Sequence, residues 1–297
     1  MSVTKRKFPA WLKKRLPRGE EIQEVRDILA DCHLATVCQE ARCPNRGECY
    51  AKGTATFMIL GRVCTRNCTF CAVSSGDPSP VSDDEPERVA EAAARMGLEH
   101  VVITSVTRDD LPDGGSEHFA RVIRAIRARC EATVEVLTPD FEGREEDVDR
   151  VLEARPDVFN HNLETVPGLY PEVRPEADYG RSLQVLARAS DSGLLTKSGL
   201  MLGLGETDSQ VVEVMKDLRD VGCDGLTLGQ YLRPNEEKHD VVSFIHPDRF
   251  EQYRERACDM GFSGVAAGPF VRSSYNAGQL AEELMERRCA TDREKDN

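Results

Sequence analysis

Residues 57–71 read Phe57-Met58-Ile59-Leu60-Gly61-Arg62-Val63-Cys64-Thr65-Arg66-Asn67-Cys68-Thr69-Phe70-Cys71. The first four form a short apolar strand, and three cysteines follow it in a C-x3-C-x2-C spacing. Three thiolates at this spacing can bind three irons of a [4Fe–4S] cube from one loop. A zinc site would need a fourth cysteine or histidine close to the pattern, and none follows. The fourth iron is therefore left open to a substrate or cofactor.

Strand-like and helix-like segments alternate along the chain from this stretch onward. The predicted strands cover 57–60, 101–104, 133–137, 158–160, 200–202 and 225–228. The predicted helices cover 85–96, 117–129, 145–154, 182–190, 209–221 and 247–260, with Asp208 as the N-cap of the fifth. Six strand-then-helix units predict parallel strands with right-handed crossovers, in an open doubly wound sheet or a barrel. In either fold the functional residues lie at the carboxyl ends of the strands.

A second group of cysteines precedes the first strand. Residues 20–31 have the apolar spacing of a helix, whereas 32–56 are too irregular for a long one. Within that irregular segment, Cys38, Cys43 and Cys49 form a C-x4-C-x5-C pattern. Taken alone, the pattern would also suit zinc or scattered core cysteines. Beside the first group it predicts an auxiliary iron–sulfur cluster, completed by a distant residue or left open.

Composition excludes several classes of protein. The net charge of −13 argues against nucleic acid as a main partner, because binding phosphates needs a basic surface. No apolar run is long enough to cross a bilayer, and no secretory apolar segment stands at the start, so we expect a cytoplasmic protein. Its thiols should then be reduced rather than paired in disulfides. Five isolated cysteines are predicted to be packing residues: Cys32, Cys130, Cys223, Cys258 and Cys289.

Both ends of the chain are highly charged. The first nineteen residues contain no acid and seven basic residues: Lys5, Arg6, Lys7, Lys13, Lys14, Arg15 and Arg18. This arm can be read as a solvated, frayed segment, as a docking arm for an acidic protein, or as an organelle transit peptide. At the other end, the charged tail after Glu282 is predicted to fray.

The C-x3-C-x2-C spacing, with an aromatic residue before the last cysteine, is the signature of radical S-adenosylmethionine (SAM) enzymes. Nearly the whole chain resembles the lipoyl synthase family. The resemblance is carried by both cysteine patterns and by residues 9–13, 104–115, 160–165, 197–206, 227–232 and Arg272-Ser273-Ser274-Tyr275. One departure is Asn276, where many members have histidine.

This resemblance implies an α/β fold, a partial (β/α)6 TIM-type barrel of the radical SAM type. We expect an N-terminal cluster-binding extension at 1–55, the barrel at 56–262 and a C-terminal segment at 263–297. It also implies two [4Fe–4S] clusters. Cys64, Cys68 and Cys71 would hold the cluster that binds SAM, and Cys38, Cys43, Cys49 and Ser274 the auxiliary one, with Ser273 as the alternative fourth ligand.

The family reaction inserts two sulfur atoms at C6 and C8 of an octanoyl chain on a carrier-protein lysine. Ordinary bases cannot remove protons from such methylene and methyl groups, so a radical is required. In the implied mechanism, the first cluster cleaves SAM to a 5′-deoxyadenosyl radical, and the auxiliary cluster supplies the sulfur. A serine alkoxide is a poorer ligand than thiolate for cluster iron, so that corner should open more easily.

The implied partners follow from the same resemblance, whereas the candidate SAM contacts follow from their places at predicted strand ends. The partners are octanoylated lipoyl carrier domains (2-oxoacid dehydrogenase E2 or the glycine cleavage H protein), a ferredoxin or flavodoxin reductant, and a cluster-repair protein. Candidate SAM contacts at predicted strand ends are Asn162, Glu164, Lys197, Gly203, Gly205 and Glu206, which could equally be barrel scaffolding. Thr104, Arg108 and Asp109 are placed similarly. His161 can be read as a group at the radical site, but the favoured interpretation is a hydrogen-bonded structural histidine.

Two other functions remain open from the sequence. One is a different radical SAM enzyme with an auxiliary cluster, such as a peptide-modifying one. The other is a two-cluster electron carrier, although a carrier would need all four ligands of each cluster closed. Incubation with SAM and dithionite separates the two classes, because a carrier would form no 5′-deoxyadenosine.

Overall fold

The computed structural model describes residues 8–14, 17 and 19–295, with side chains as far as 288. Several residues singled out above lie outside the described ones: Lys5, Arg6, Lys7, Arg15 and Arg18 of the basic arm, and the side chain of Cys289. Of the isolated cysteines, Cys32 and Cys223 are buried, as expected for packing residues, whereas Cys130 and Cys258 are half-buried.

The strands form one large sheet and one small one. Their bounds are β1 Ala35–Thr36, β2 Thr56–Ile59, β3 Val63–Cys64, β4 Ser74–Ser75, β5 His100–Ser105, β6 Thr133–Leu137, β7 Val158–Asn160, β8 Leu195–Leu202, β9 Gly225–Gln230 and β10 Gly264–Gly268. The eight-stranded sheet has the order β1-β2-β5-β6-β7-β8-β9-β10. β1 runs antiparallel to β2, and the other neighbours are parallel. β3 and β4 pair separately.

Helices follow most of the parallel strands. Their bounds are α1 Glu20–Asp31, α2 Val37–Glu40, α3 Arg46–Ala51, α4 Glu85–Arg95, α5 Ser116–Arg129, α6 Glu145–Glu153, α7 Tyr170–Val173, α8 Tyr179–Asp191, α9 Asp208–Asp220, α10 Pro247–Asp259 and α11 Ala277–Lys295. The main core lies between these helices and the sheet. There, Val134 and Val136 of β6 pack in one apolar cluster with Ile123 of α5.

The opposite face of the sheet surrounds a cavity. Side chains alternate between the two faces of a strand. Met58, Thr104, Leu137 and Thr227 come from four strands, and all line the same cavity. The residues that precede them belong to the apolar clusters on the helix side of the sheet: Phe57, Ile103, Val136 and Leu226. The sheet is therefore curved into a partial barrel with β1 and β10 as its edges. This confirms the predicted fold and decides between the two alternatives that periodicity left open.

Several predicted boundaries need correction. β8 begins at Leu195, five residues before the predicted start. The N-cap of α9 is Thr207 rather than Asp208, because Thr207 and Gln210 form a reciprocal capping box. The sequence prediction also missed β10, the seventh parallel strand, because its Gly-Val-Ala-Ala-Gly composition has little β propensity.

The C-terminal segment enters the barrel. A Cβ atom at Gly229 would clash with the carbonyl oxygen of Val271, and one at Gly264 would lie 2.7 Å from Leu280 Cδ1. These inward-facing glycines thus provide the room in which residues 271–284 pack. The prediction of a frayed tail is wrong, since α11 continues to Lys295 and is anchored by apolar residues such as Leu284.

Candidate active site

A cavity of about 470 Å³ opens at the carboxyl ends of the parallel strands. Its wall includes five of the six cysteines from the two patterns: Cys38, Cys43, Cys64, Cys68 and Cys71. Ser273 and Ser274 complete the same wall, whereas Cys49 lies on α3 outside the lining. Residues separated by more than two hundred positions in sequence therefore share one chamber.

The loop of the first cysteine pattern is fixed to the ends of two strands by Arg66. Its guanidinium donates to Asp109 Oδ2 at 2.7 Å, to Asp109 Oδ1 at 2.9 Å and to Asp140 Oδ1 at 2.7 Å. Burial alone would raise the pKa of Asp140, but the hydrogen bond and charge of Arg66 lower it to about 2. Bidentate contacts of this kind fix orientation as well as distance, so the loop has a defined geometry.

Burial disfavours the ionised form of four of the six thiols in the two patterns. Burial raises the pKa of Cys38 and Cys68, and it raises those of Cys49 and Cys71 to about 12, with further increases from neighbouring cysteines. Such thiols lose their protons when a metal binds. The cysteines are spread along their segments. Within the described part of the chain, no three His, Cys, Asp or Glu side chains are grouped for a single ion.

The second cysteine segment is tied to both ends of the chain through Asn45. The amide nitrogen Nδ2 of this fully buried residue donates to the carbonyl oxygen of Phe270 at 2.6 Å. Its Oδ1 accepts a hydrogen bond from Lys14 Nζ at 2.8 Å. Asn45 lies two residues after Cys43, so these contacts join the cysteine segment to the C-terminal loop and to the N-terminal arm.

Glu48 makes a second connection beside Cys49. Tyr275 Oη donates to Glu48 Oε1 at 2.8 Å, and Lys14 forms an ion pair with the same carboxylate. The hydrogen bond from Lys14, with a smaller contribution from that of Tyr275, lowers the pKa of Glu48 to about 2. Lys14 Nζ also lies 5.1 Å and 5.2 Å from the ring centres of Phe270 and Tyr275. The Lys14 side chain of the basic arm is therefore packed against other residues of the same chain.

The two serines of the C-terminal loop differ in their partners. Ser273 Oγ accepts from Asn162 Nδ2 at 2.6 Å, and its carbonyl oxygen accepts from Lys197 Nζ at 2.9 Å. The Ser274 hydroxyl makes no hydrogen bond to any described residue, and Ser274 faces the cavity. Asn276 has a φ of 52°, a left-handed conformation that asparagine tolerates. The departure from the family pattern at this position is therefore compatible with the backbone.

The structure brings only some of the candidate SAM contacts to the cavity. Asn162 and Glu164 line it, with a 3.0 Å hydrogen bond from Asn162 Nδ2 to Glu164 Oε1. The others lie outside the lining: Lys197, Gly203, Gly205 and Glu206. Glu206 instead accepts hydrogen bonds from the amides of Gly203 and Leu204, which closes the turn after β8.

The remaining polar candidates divide between cavity wall and scaffold. His161 is hydrogen-bonded as predicted, because Nδ1 lies 2.9 Å from the carbonyl oxygen of Thr138. Burial lowers the pKa of His161 to about 4, so the ring is neutral. Thr104 lines the chamber. Asp109 and Arg108 lie outside the lining, where Asp109 accepts from Arg66 and Arg108 donates to the carbonyl oxygen of Leu60 at 3.0 Å.

Buried polar atoms without partners mark this chamber as a ligand site. In the described structure they include His161 Nε2, Asn162 Oδ1, Ser105 Oγ and Thr138 Oγ1, all from residues that line the cavity. Leaving such atoms unpaired is costly, so a polar ligand would stabilise the site. Together with the cysteines, they fit an iron–sulfur cluster with a polar cofactor beside it.

Sequence reasoning gave no role to Arg174 and Arg272, which both line the cavity. Arg174 donates to the carbonyl oxygens of Asn162 and Leu163, both at 3.0 Å, and its charge acts to lower the pKa of Cys68. Arg272 is near enough to Cys43 for the two charges to interact. Arg272 belongs to the serine motif, whereas no motif identified Arg174.

Comparison with known proteins identifies the family. Residues 58–244 match the Radical SAM superfamily, and residues 2–43 match the N-terminal domain of lipoyl synthase of the radical SAM family. The chain is 56% identical over 271 residues to "Lipoyl synthase" of Caldanaerobacter subterraneus, covering 91% of this chain and 95% of that protein. It is 54% identical over 278 residues to that of Rubrobacter xylanophilus, covering 93% and 87%. The chain belongs to the lipoyl synthase family.

Solved structures support the fold of this lipoyl synthase family member. SuiB of Streptococcus suis bound to S-adenosylmethionine superposes with a TM-score of 0.57 at 13% identity, over 75% of this chain and 53% of SuiB. Coproporphyrinogen III oxidase of Escherichia coli gives 0.50 at 15% identity, over 73% and 55%. Family membership confirms the predicted enzyme class and implies SAM and a [4Fe–4S] cluster. Among the described residues, no helix is long and apolar enough to cross a membrane.

Proposed function

We propose that this enzyme inserts two sulfur atoms, at C6 and C8, into an octanoyl chain bound to a lysine of a lipoyl carrier domain. The observation that carries the proposal is the shared chamber, where residues of both cysteine patterns and Ser274 line one wall. The reaction needs an octanoyl carbon to reach a radical source and a sulfur source in turn. A single chamber bordered by both ligand sets meets that requirement.

Cys64, Cys68 and Cys71 are the proposed ligands of the cluster that binds SAM. Cys38, Cys43, Cys49 and Ser274 are the proposed ligands of a second [4Fe–4S] cluster. The free hydroxyl of Ser274 supports its role, because the neighbouring Ser273 is already hydrogen-bonded to Asn162. Further support comes from the C-terminal loop, which contacts the cysteine segment through Asn45 and Glu48.

When bound, SAM with the first cluster supplies a 5′-deoxyadenosyl radical, and the second cluster supplies sulfide. The chain's own residues hold and shield these groups. Arg66 keeps the first cysteine loop against the strand ends, and Asn162 and Glu164 are the polar contacts that we retain for SAM. Apolar side chains of the chamber can pack the octanoyl chain and exclude water, among them Val106, Leu137, Leu200, Met201 and Leu232.

The proposed partners are those that the family resemblance implies. The substrate would be an octanoylated domain of 2-oxoacid dehydrogenase E2 or the glycine cleavage H protein. A ferredoxin or flavodoxin would deliver electrons, and a repair protein would rebuild the second cluster after each product. The cytoplasmic location stays a prediction from the sequence.

The function can be tested with anaerobically reconstituted enzyme, SAM, a reductant and an octanoyl-lysyl peptide. We expect mass spectrometry to detect two added sulfurs and two 5′-deoxyadenosines per product. Sulfur insertion should be lost in Ser274→Ala and Cys43→Ala. Formation of 5′-deoxyadenosine without sulfur insertion by the unmodified enzyme would refute the proposed substrate while preserving the radical SAM class.

A further inference from the structure

A buried ion pair lies inside the barrel below the chamber. Lys197 Nζ of β8 lies 2.5 Å from Glu135 Oε1 of β6, and both side chains are 1% exposed. Asn160 Nδ2 of the intervening strand donates to the same Oε1 at 3.1 Å, and His100 Nε2 lies 3.5 Å from Oε2. Burial acts to raise the pKa of Glu135, but the charge of Lys197 together with the hydrogen bond and charge of His100 lowers the pKa overall. The Glu135 carboxyl is therefore ionised at neutral pH.

Such a pair is not explained by stability alone. In many proteins, burying an ion pair is less favourable in free energy than burying a well-packed apolar pair of similar size. The sequence nevertheless provides space for the lysine, because a Cβ atom at Gly225 on the neighbouring strand would lie 3.2 Å from Lys197 Cγ. Apolar side chains of α11, including Leu284, close the barrel beside it.

The third partner of the pair indicates its role. Lys197 Nζ donates to the carbonyl oxygen of Ser273 at 2.9 Å. That oxygen belongs to the peptide group joining Ser273 to Ser274, so the contact fixes the plane from which the Ser274 side chain departs. Glu135 in turn fixes the position of the ammonium group. The charge of the lysine strengthens its hydrogen bond to the carbonyl.

We propose that Lys197, held by Glu135, is a positioning residue that orients the Ser273–Ser274 peptide and so presents the Ser274 hydroxyl to the chamber. This inference rests on the proposed role of Ser274 as a ligand of the second cluster. It assigns to Lys197 a role different from the SAM contact expected from the sequence. The ammonium does not line the cavity and acts through the backbone of the serine loop.

The test is the double variant Lys197→Met/Glu135→Leu, which removes both charges together and leaves no unpaired charge in the barrel. Anaerobically reconstituted enzyme should form 5′-deoxyadenosine at a rate within about twofold of the unmodified protein. The amount of sulfur-inserted peptide per 5′-deoxyadenosine should fall by about tenfold, as expected for loss of one charged hydrogen bond. Mössbauer spectra should show an altered iron site in the second cluster.

Lys216→Met is the matched control, because Lys216 is an exposed lysine on α9 and should leave both quantities unchanged. If the double variant does not fold, Lys197→Gln/Glu135→Gln keeps a polar pair. The glutamine side chain at position 197 ends one bond short of the lysine nitrogen. The same fall in sulfur-inserted peptide per 5′-deoxyadenosine is therefore expected.

An unchanged product ratio and Mössbauer spectrum in either folded double variant would overturn the inference. Failure of the unmodified enzyme to hold a second cluster or insert sulfur would instead refute the proposed function. The two failures are therefore distinguishable.

Discussion

Ser273 and Ser274 are adjacent in sequence, yet they differ in their hydrogen-bond partners and in their proposed roles. Ser273 contributes its hydroxyl to Asn162 and its carbonyl to Lys197, whereas the Ser274 hydroxyl is left for the chamber. We expect Ser274→Ala to reduce sulfur insertion by at least a hundredfold while 5′-deoxyadenosine still forms. Ser273→Ala loses one hydrogen bond and should cost about tenfold or less. Mass spectrometry of both products measures the contrast, and equal losses in the two variants would contradict it.

Asp140 is predicted to stabilise the fold through its buried ion pair with Arg66. Asp140→Asn leaves part of the guanidinium charge unpaired, so it should lower the free energy of unfolding by about 3 kcal/mol at neutral pH. The folded pKa of about 2 lies below the ordinary value of 3.8, so the contribution is present above pH 3.8. It is lost as the pH falls from 3.8 through 2.

Denaturant unfolding of the cluster-free protein across that pH range measures this effect. The difference between the unmodified protein and Asp140→Asn should shrink towards pH 2. A difference that stays constant with pH would show that the carboxylate charge is not responsible.

Among the residue-level predictions, the correct ones are those that depend on the spacing of residues along the sequence. The cysteine patterns are local, and the chamber contains five of their six members. The hydrogen bonds of Asn45 with Lys14 and with Phe270 join residues 31 and 225 positions apart. No pattern of neighbouring residues in the sequence predicts such contacts. Lys197 and Glu206 were expected near SAM because they lie at the ends of a predicted strand, but side-chain direction, which the prediction did not use, places them elsewhere.

At the element scale, the insertion of the C-terminal segment into the barrel depends on small residues of β9 and β10. Gly229→Ala would set a methyl group against the carbonyl oxygen of Val271. We expect the strain to destabilise the inserted loop by about 2 kcal/mol and to reduce second-cluster iron, measured by iron analysis after reconstitution.

Gly168→Ala is the control for this change, because its new Cβ would be exposed and 3.7 Å from the nearest atom, Gln210 Nε2. Equal iron content in Gly229→Ala and Gly168→Ala would show that the loop does not need the space beside β9.

The element boundaries show why some of the fold was predictable. Helices such as α5 and α10 lie within one residue of their predicted bounds, because one apolar face packs on the sheet. β10 and α11 were missed for the opposite reason. Their sequences are rich in small or charged residues, and only the interior of an already curved sheet provides the partners that stabilise them.

At the scale of the whole molecule, the N-terminal arm, the second cysteine segment and the C-terminal loop form one assembly around Lys14. Lys14→Met would remove the ion pair with Glu48 and the hydrogen bond to Asn45. We expect a loss of about 1–2 kcal/mol in unfolding free energy and a lower second-cluster content. Affinity for an octanoylated carrier domain should not change, because the Lys14 side chain contacts residues of its own chain rather than a partner.

Lys13→Met is the control for this prediction, since Lys13 is exposed on the same arm. Calorimetry of the cluster-free protein and titration with the carrier domain measure the two effects. A loss of carrier affinity with unchanged stability in Lys14→Met would favour the docking-arm interpretation instead.

We propose that the two cysteine patterns and Ser274 hold a radical source and a sulfur source in one chamber. The most direct test is to reconstitute the enzyme with isotopically heavy sulfide, replace the free sulfide with sulfide of natural abundance, and analyse a single turnover with octanoyl-lysyl peptide by mass spectrometry. We expect two heavy sulfurs in each product molecule and no sulfur added to the peptide by Ser274→Ala. Product carrying sulfur of natural abundance, added from solution, would contradict it.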